Sequence, residues 1–163
     1  YLLGERSPRW NPDTSGSFLG IKMEHEKCDY VRAVLEGVAM NLDIILTAHR
    51  ENVSINELVL TGGGAKGDVV AQILADVLEL PLYRLDHVES ATSIAAATIA
   101  GVGVGVFDDF SVVNQFVKRE KVFEPNSENR EIYIKQKELF EMGYQCLKKY
   151  YELEARKSCE QTI

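Results

Sequence analysis

One hundred and sixty-three residues suffice for one ordinary domain or part of a larger one, and 45% hydrophobic with 26% charged side chains is globular composition, not disordered, collagenous or coiled-coil composition. A formal net charge of −7 repels phosphate backbones and anionic lipid, which excludes a basic-patch binder of DNA, RNA or membrane surface. Cys28, Cys146 and Cys159 are odd in number and too widely spaced for a disulfide framework or a zinc site, so a reducing, cytoplasmic compartment is expected.

The chain opens on Tyr1 with neither Met nor a basic-then-apolar leader, so an excised or processed piece is expected, with further polypeptide before Tyr1. Gly4, Pro8, Pro12, Gly16 and Gly20 punctuate a turn-rich entry. It ends in Phe18-Leu19-Gly20-Ile21, a short apolar run predicted as a strand. From about Lys27 to Ala48, Val31, Val34, Leu35, Val38, Leu42, Ile45 and Leu46 recur at three- and four-residue steps, the mark of one apolar helix face, with a stop near Asn52.

Glu57 to Thr61 reads as a strand that breaks into Gly62-Gly63-Gly64, and Val69 to Leu80 resumes helical spacing through Ile73, Leu74, Val77 and Leu78. Pro81 to Leu85 is a further strand, and Ser90 to about Ala100 a helix of small residues able to lie close against a sheet. The uncharged run Ser90 to Phe107 is too rich in Ser, Thr, Ala and Gly for a bilayer span, so it is expected to be buried in a soluble protein. The strand and helix alternation is that of an α/β layer with parallel strands. A short helix over Ser111 to Val117 follows. Pro125 then breaks the chain before a last helix from near Glu128 to about Ala155, capped by Asn126 or Ser127, with Ile132, Leu139, Phe140, Tyr144, Leu147 and Tyr151 on its apolar side.

The segment best placed for chemistry is Thr61-Gly62-Gly63-Gly64-Ala65-Lys66-Gly67-Asp68, between a strand and a helix. Glycines there permit positive φ and leave no Cβ to collide with a ligand, so backbone N–H groups and a helix N-terminus can face a nucleotide. The spacing is neither GxxxxGK[ST] nor GxGxxG; a plain tight turn, with Asp68 as a cap, is the competing reading. Gly101, Gly103 and Gly105 follow a helix and read as its exit. His25, His49 and His87 stand apart from any carboxylate or cysteine at ligand spacing and read as surface or capping residues. No nucleophile, acid–base pair or triad announces itself in the sequence. Gly4-Glu5-Arg6-Ser7-Pro8-Arg9-Trp10 is either a substrate-facing loop or a turn whose Trp10 plugs a hydrophobic seam.

Four motifs in order, Gly4 to Pro12, Arg32-Ala-Val-Leu-Glu-Gly-Val38, Gly62-Gly-Gly-Ala-Lys66 with Gln72-Ile-Leu-Ala-Asp76, and Glu89-Ser-Ala-Thr-Ser93, resemble the C-terminal domain of the FGGY carbohydrate kinases, xylulose kinases in particular. The resemblance runs from Tyr1 to about Tyr151. It implies a two-domain, actin-like (ribonuclease-H-like) ATP-dependent sugar kinase whose cleft closes over sugar and nucleotide. This α/β chain, with its α-helical C-terminal extension, would be residues 1–163 of the second, nucleotide-binding domain, lacking its first strands and the N-terminal sugar-binding domain.

By the same resemblance, Gly63, Gly64 and Ala65 would pack against the adenosine of ATP, with Lys66 and Asp68 near the rim. The proton-accepting aspartate, the sugar contacts and the earlier phosphate-binding segments would lie upstream. Mg²⁺ would accompany ATP, with no metal ligand in this chain and no catalysis by the chain alone. Gluconate kinases of the same family share the Gly-Glu-Arg turn, and a non-catalytic nucleotide-binding or dimerising module is the alternative of another class. Gly67, Val70 and Ala95 stand where the family pattern has a serine, an aromatic and a glycine. A sheet truncated at its first strands would leave unpaired edge groups, so a homodimer or self-associating fragment is expected.

Overall fold

The computed structural model describes residues 1–160 except Leu3 and His87, with side chains described to Ala155. The reading of His87 and that of the Cys159 side chain fall outside the described residues. The chain divides into two compact units, one made of Tyr1–Val53 with the segment from Asn129 on, the other of Ser54–Glu128.

In the first unit the helix α1 spans Lys27–Arg50 and α5 spans Arg130–Glu160. A reciprocal capping box between Glu26 and Asp29 starts α1. The two helices meet through polar side chains: Arg32 Nη2 donates to the Tyr133 hydroxyl at 3.2 Å, that hydroxyl donates to Glu36 Oε1 at 3.0 Å, and Lys137 pairs with Asp43 at 3.0 Å. Ala39, Met40, Leu46, Tyr133, Tyr144 and Tyr151 are buried.

The apolar stripes predicted for these helices are therefore only partly used. Val31, Val34, Val38 and Leu42 of α1, and Ile132 and Leu139 of α5, are exposed. The three buried tyrosines stand eleven and seven residues apart, which returns them to one side of a 3.6-residue helix and moves the packed stripe off Ile132 and Leu139. Phe18–Ile21, predicted as a strand, is not one: Gly20 turns to φ +73°, no strand pairs with it among the described residues, and Phe18, Leu19 and Ile21 are exposed.

The second unit holds a three-stranded mixed sheet of order β1-β2-β3, with β1 at Leu58–Leu60, β2 at Leu82–Leu85 and β3 at Arg119–Phe123. β1 and β2 are parallel, Leu58 opposite Leu82, and the helix α2, Asp68–Leu78, makes the crossover that parallel strands require. All four apolar residues predicted to face inward on α2, Ile73, Leu74, Val77 and Leu78, are buried, together with Ala71, Ala75, Leu80, Leu82 and Phe123.

β3 runs antiparallel to β2, which corrects the all-parallel expectation. Its sequence Arg-Glu-Lys-Val-Phe carries three charges and gives no alternating signal. Those charges suit an edge strand, exposed along its length except at Phe123.

The helix α3 spans Ala91–Gly103 and the short α4 spans Val113–Phe116 after a 3-10 turn at Phe110–Val112. The buried reading of the Ser90 to Phe107 run is corrected too: of α3 only Thr98 is buried, its hydroxyl donating to the Ile94 carbonyl, and Ile99, Val104 and Val106 are exposed. No described helix is long and apolar enough to cross a membrane.

Of the three glycines read as a helix exit, Gly101 and Gly103 lie inside α3 and Gly105 turns out of it at φ +74°. A Cβ on Gly101 would meet the Phe107 ring at 2.4 Å, whereas one on Gly103 would meet nothing within 4 Å. Gly101→Ala is expected to cost about 1–3 kcal/mol by displacing Phe107, and Gly103→Ala to stabilise by about 0.5 kcal/mol through lost chain entropy. Urea unfolding of the two variants checks the opposite signs.

Candidate functional site

The glycine segment follows the C-terminal end of β1. Gly62 sits at φ +83°, a conformation that costs a side-chain-bearing residue energy, and its N–H donates to the Val88 carbonyl at 3.0 Å. A 3-10 turn follows at Gly63–Lys66, closed by the Ala65 N–H on the Gly62 carbonyl at 3.0 Å, and Gly67 leads into α2.

The glycines differ in what they require. Gly62 needs its positive φ. Gly63 and Gly64 have no positive φ, are exposed, and would place a Cβ within 4 Å of nothing. Nothing within the fold excludes a side chain at either position, so the two present bare backbone to open space. Ala65, by contrast, is 0% exposed and packs beneath the turn.

Three contacts hold the turn from the side of β2 and the segment after it. Gly62 is held by Val88, Lys66 forms an ion pair with Glu89, and Arg84 Nη1 donates to the Ala65 carbonyl at 3.4 Å. The Lys66 ammonium holds the Glu89 carboxyl below its ordinary range. Asp68, in the first turn of α2 where a negative charge suits the helix dipole, is bound on both oxygens: Arg84 Nη1 lies 2.7 Å from Oδ1 and Lys121 Nζ 2.6 Å from Oδ2.

Of the residues predicted for the site, Gly63, Gly64, Ala65, Lys66 and Asp68 thus fall within one turn and the helix start that follows it. Arg84, Glu89 and Lys121 surround them and were missed. One available signal was the period-2 alternation of Leu82 to Leu85, which puts Arg84 on the same face as the 2% exposed Leu82.

The Gly4 to Trp10 segment is not the seam-plugging turn. Trp10 is 75% exposed, so it plugs no seam; its φ is +51°. The buried residue is Glu5, which accepts from the Arg9 N–H at 2.9 Å while its own N–H donates to the Asn11 carbonyl at 2.8 Å. The Arg9 guanidinium lies 3.8 Å over the Tyr144 ring and pairs with Glu141. Burial pushes the Tyr1 hydroxyl up to about 12, so it stays protonated and donates to Asn41. His25 and His49 are exposed, Cys28 and Cys146 are free thiols, and among the described residues no group of three or more His, Cys, Asp or Glu converges on a metal position.

Comparison with known proteins bears on residues 1–104, which match the model of the C-terminal domain of the FGGY family of carbohydrate kinases. The xylulose kinase of Staphylococcus epidermidis is 39% identical over 88% of this chain and 29% of its own length. The gluconokinase of Bacillus licheniformis is 38% identical over 86% of this chain and 28% of its own. The ligand-bound xylulose kinase from Lactobacillus acidophilus superposes with a TM-score of 0.81 at 32% identity, over 93% of this chain and 31% of that one. The gluconate kinase from the same organism gives 0.78 at 32%, over 90% and 30%. The chain therefore spans less than a third of the length of these relatives.

Lys121 first and Arg84 second hold the Asp68 carboxyl below its ordinary 3.8. A carboxylate whose folded value is depressed contributes its full stabilisation above the ordinary value and loses it as the pH falls through the folded one. Carboxyl-carbon NMR titration is expected to place the Asp68 midpoint below 3.8 and to move it upward in Lys121→Met; a midpoint at or above the ordinary value contradicts the paired geometry.

Proposed function

We propose that this chain, which belongs to the FGGY family of carbohydrate kinases, is the nucleotide-side segment of an ATP-dependent kinase that transfers the γ-phosphate of MgATP to a ketopentose, D-xylulose. The observation that carries the nucleotide assignment is the pair Gly63–Gly64: exposed, on ordinary backbone, with open space where a Cβ would project. Glycine there serves the close approach of a flat ligand ring to backbone, and an adenosine meets that description. Ala65 supports the surface from beneath, and Lys66 and Asp68 stand at its rim.

When bound, MgATP supplies the phosphoryl group to be transferred, and what this chain contributes is position. Phosphoryl transfer depends mainly on alignment and charge stabilisation, so a wall that holds the adenosine sets where the γ-phosphate lies in the cleft. Mg²⁺ arrives with the phosphates. The aspartate that takes the proton of the attacking hydroxyl, and the groups that contact the sugar, belong to the part of the kinase that this chain does not match. The enclosing architecture is the actin-like two-domain fold, and by itself this segment does not turn over. D-Gluconate is the second substrate reading, supported by the gluconokinase at 38% identity.

A coupled ADP-release assay on the full-length protein, offered D-xylulose, L-ribulose, D-gluconate and glycerol, is expected to show turnover with D-xylulose. Turnover with gluconate alone replaces the substrate, and a folded protein silent on every sugar replaces the kinase with a binding or scaffold module. Gly64→Val puts branched carbons into the open space, starting from a Cβ that has nothing within 4 Å. It is expected to weaken ADP binding at least about tenfold, roughly 1.4 kcal/mol, without lowering the unfolding midpoint. Calorimetric titration giving an unchanged ADP affinity counts directly against the site.

Self-association of the isolated chain rests on separate features. β1 is an edge strand of the described sheet with Val59 exposed, and the exposed Val31, Val34 and Val38 form one stripe of α1. Light scattering is expected to show mass rising with concentration; a clean monomer at every concentration removes this expectation.

A further inference from the structure

Arg84 is an unusual occupant of its position. It lies on the inward face of β2, two residues from the buried Leu82, and its side chain is 14% exposed. In the sheet register it stands directly opposite Lys121. Like charges on opposing strand positions repel, so this pairing alone would weaken the sheet.

Two carboxylates offset it. Asp68 takes one cation on each oxygen, and Glu120 accepts from Arg84 Nε at 3.3 Å. Glu120 is available because the β2–β3 register shifts between Arg84 and Leu85, with Arg84 facing Lys121 and Leu85 facing Arg119, so the intervening Glu120 is the extra residue of a bulge. The guanidinium is further flanked by the Phe123 ring at 5.6 Å.

This arrangement gains little as ordinary surface pairing, because Asp68, Glu120 and Lys121 are largely in water. Its geometry has another consequence. One guanidinium joins the sheet, through its own strand and Glu120, to the Ala65 carbonyl of the turn and to the first residue of α2. Its contact with Ala65 comes directly after Gly63 and Gly64 in the chain. A Cβ on either of those two residues would find nothing within 4 Å, so no side-chain packing fixes them.

We infer that Arg84 is a positioning residue for the nucleotide turn: by holding the Ala65 carbonyl and the Asp68 carboxylate, it sets where the open Gly63–Gly64 surface stands relative to the sheet. It touches no ligand itself. The inference rests on the nucleotide reading of that turn, and it makes Asp68 a strut between sheet and helix as well as a rim residue.

The test uses the full-length kinase with Arg84→Met, which keeps the aliphatic stem and removes the charge and donors, beside Arg84→Lys and Gly64→Val. Arg84→Met is expected to raise the KM for ATP and the Kd for ADP about tenfold, with the KM for the sugar within about twofold. Arg84→Lys, able to reach Asp68 but not to fork between Ala65 and Glu120, is expected to recover part of the ATP affinity. A variant that only loosened the fold would move kcat and both KM values together, and that pattern overturns the inference. If Gly64→Val weakens ADP while a folded Arg84→Met does not, the nucleotide reading stands and the role of Arg84 falls. If Gly64→Val leaves ADP untouched, the nucleotide reading falls first and this inference with it. Should Arg84→Met fail to fold, Asp68→Asn, which keeps size and removes the charge that Arg84 engages, is expected to raise the KM for ATP alone; an unchanged value in that variant overturns the inference equally.

Discussion

The parallel pairing of β1 with β2 is the constraint on which the candidate site depends. Parallel neighbours cannot be joined by a tight turn, so the chain leaves the end of β1, must climb over the sheet as α2, and can re-enter only from the far end. That journey places a strand-to-helix turn at the C-terminal edge of the sheet, beside the point where β2 also ends. The turn and the residues after β2 are therefore neighbours by topology, and Gly62, Ala65 and Lys66 find their partners in Val88, Arg84 and Glu89. Ligands of α/β sheets gather outside the carboxyl ends of strands for the same reason: backbone N–H groups and loop side chains from separate strands converge there.

Within the turn, the three successive glycines divide the labour. Gly62 makes the bend that no side-chain-bearing residue makes cheaply, and Gly63 and Gly64 leave a surface bare. The next residue reverses the logic, since Ala65 is fully buried and anchors the turn to the layer beneath. An open surface backed by a packed residue and three tethers is a rigid way to offer backbone to a ligand, because it needs no ordering when the ligand arrives.

The first unit stores its polarity inside. Glu5 is buried with one oxygen on the Arg9 N–H, and Arg9 spreads over Tyr144. Burying such groups is costly unless they are paired, and here the pairing is incomplete, since Glu5 Oε1 and Arg9 Nη1 are buried without a hydrogen-bond partner, while the only tryptophan of the chain is left at the surface. Exposed valines on α1 beside buried tyrosines on α5 show the same inversion, because the packed contacts here run through hydroxyls and carboxylates as much as through methyl groups.

Local pattern was enough wherever one short stretch of chain decided the outcome. The α2 face was readable because four apolar residues at helical spacing can be buried on one side only, and the glycine turn because glycine alone accepts the backbone that Gly62 adopts. The family was legible because several motifs in fixed order constrain each other. Tertiary structure decided what depends on a distant partner. β3 is a strand because β2 offers it an edge and Phe123 a place opposite Leu82, neither of which its charged sequence announces. Phe18–Ile21 has the composition of a strand and no strand to pair with among the described residues. Arg84 looks like any surface arginine until the sheet register sets Lys121 opposite it and α2 delivers Asp68 between them, for the meaning of a charge lies in its neighbours and those are chosen by the fold.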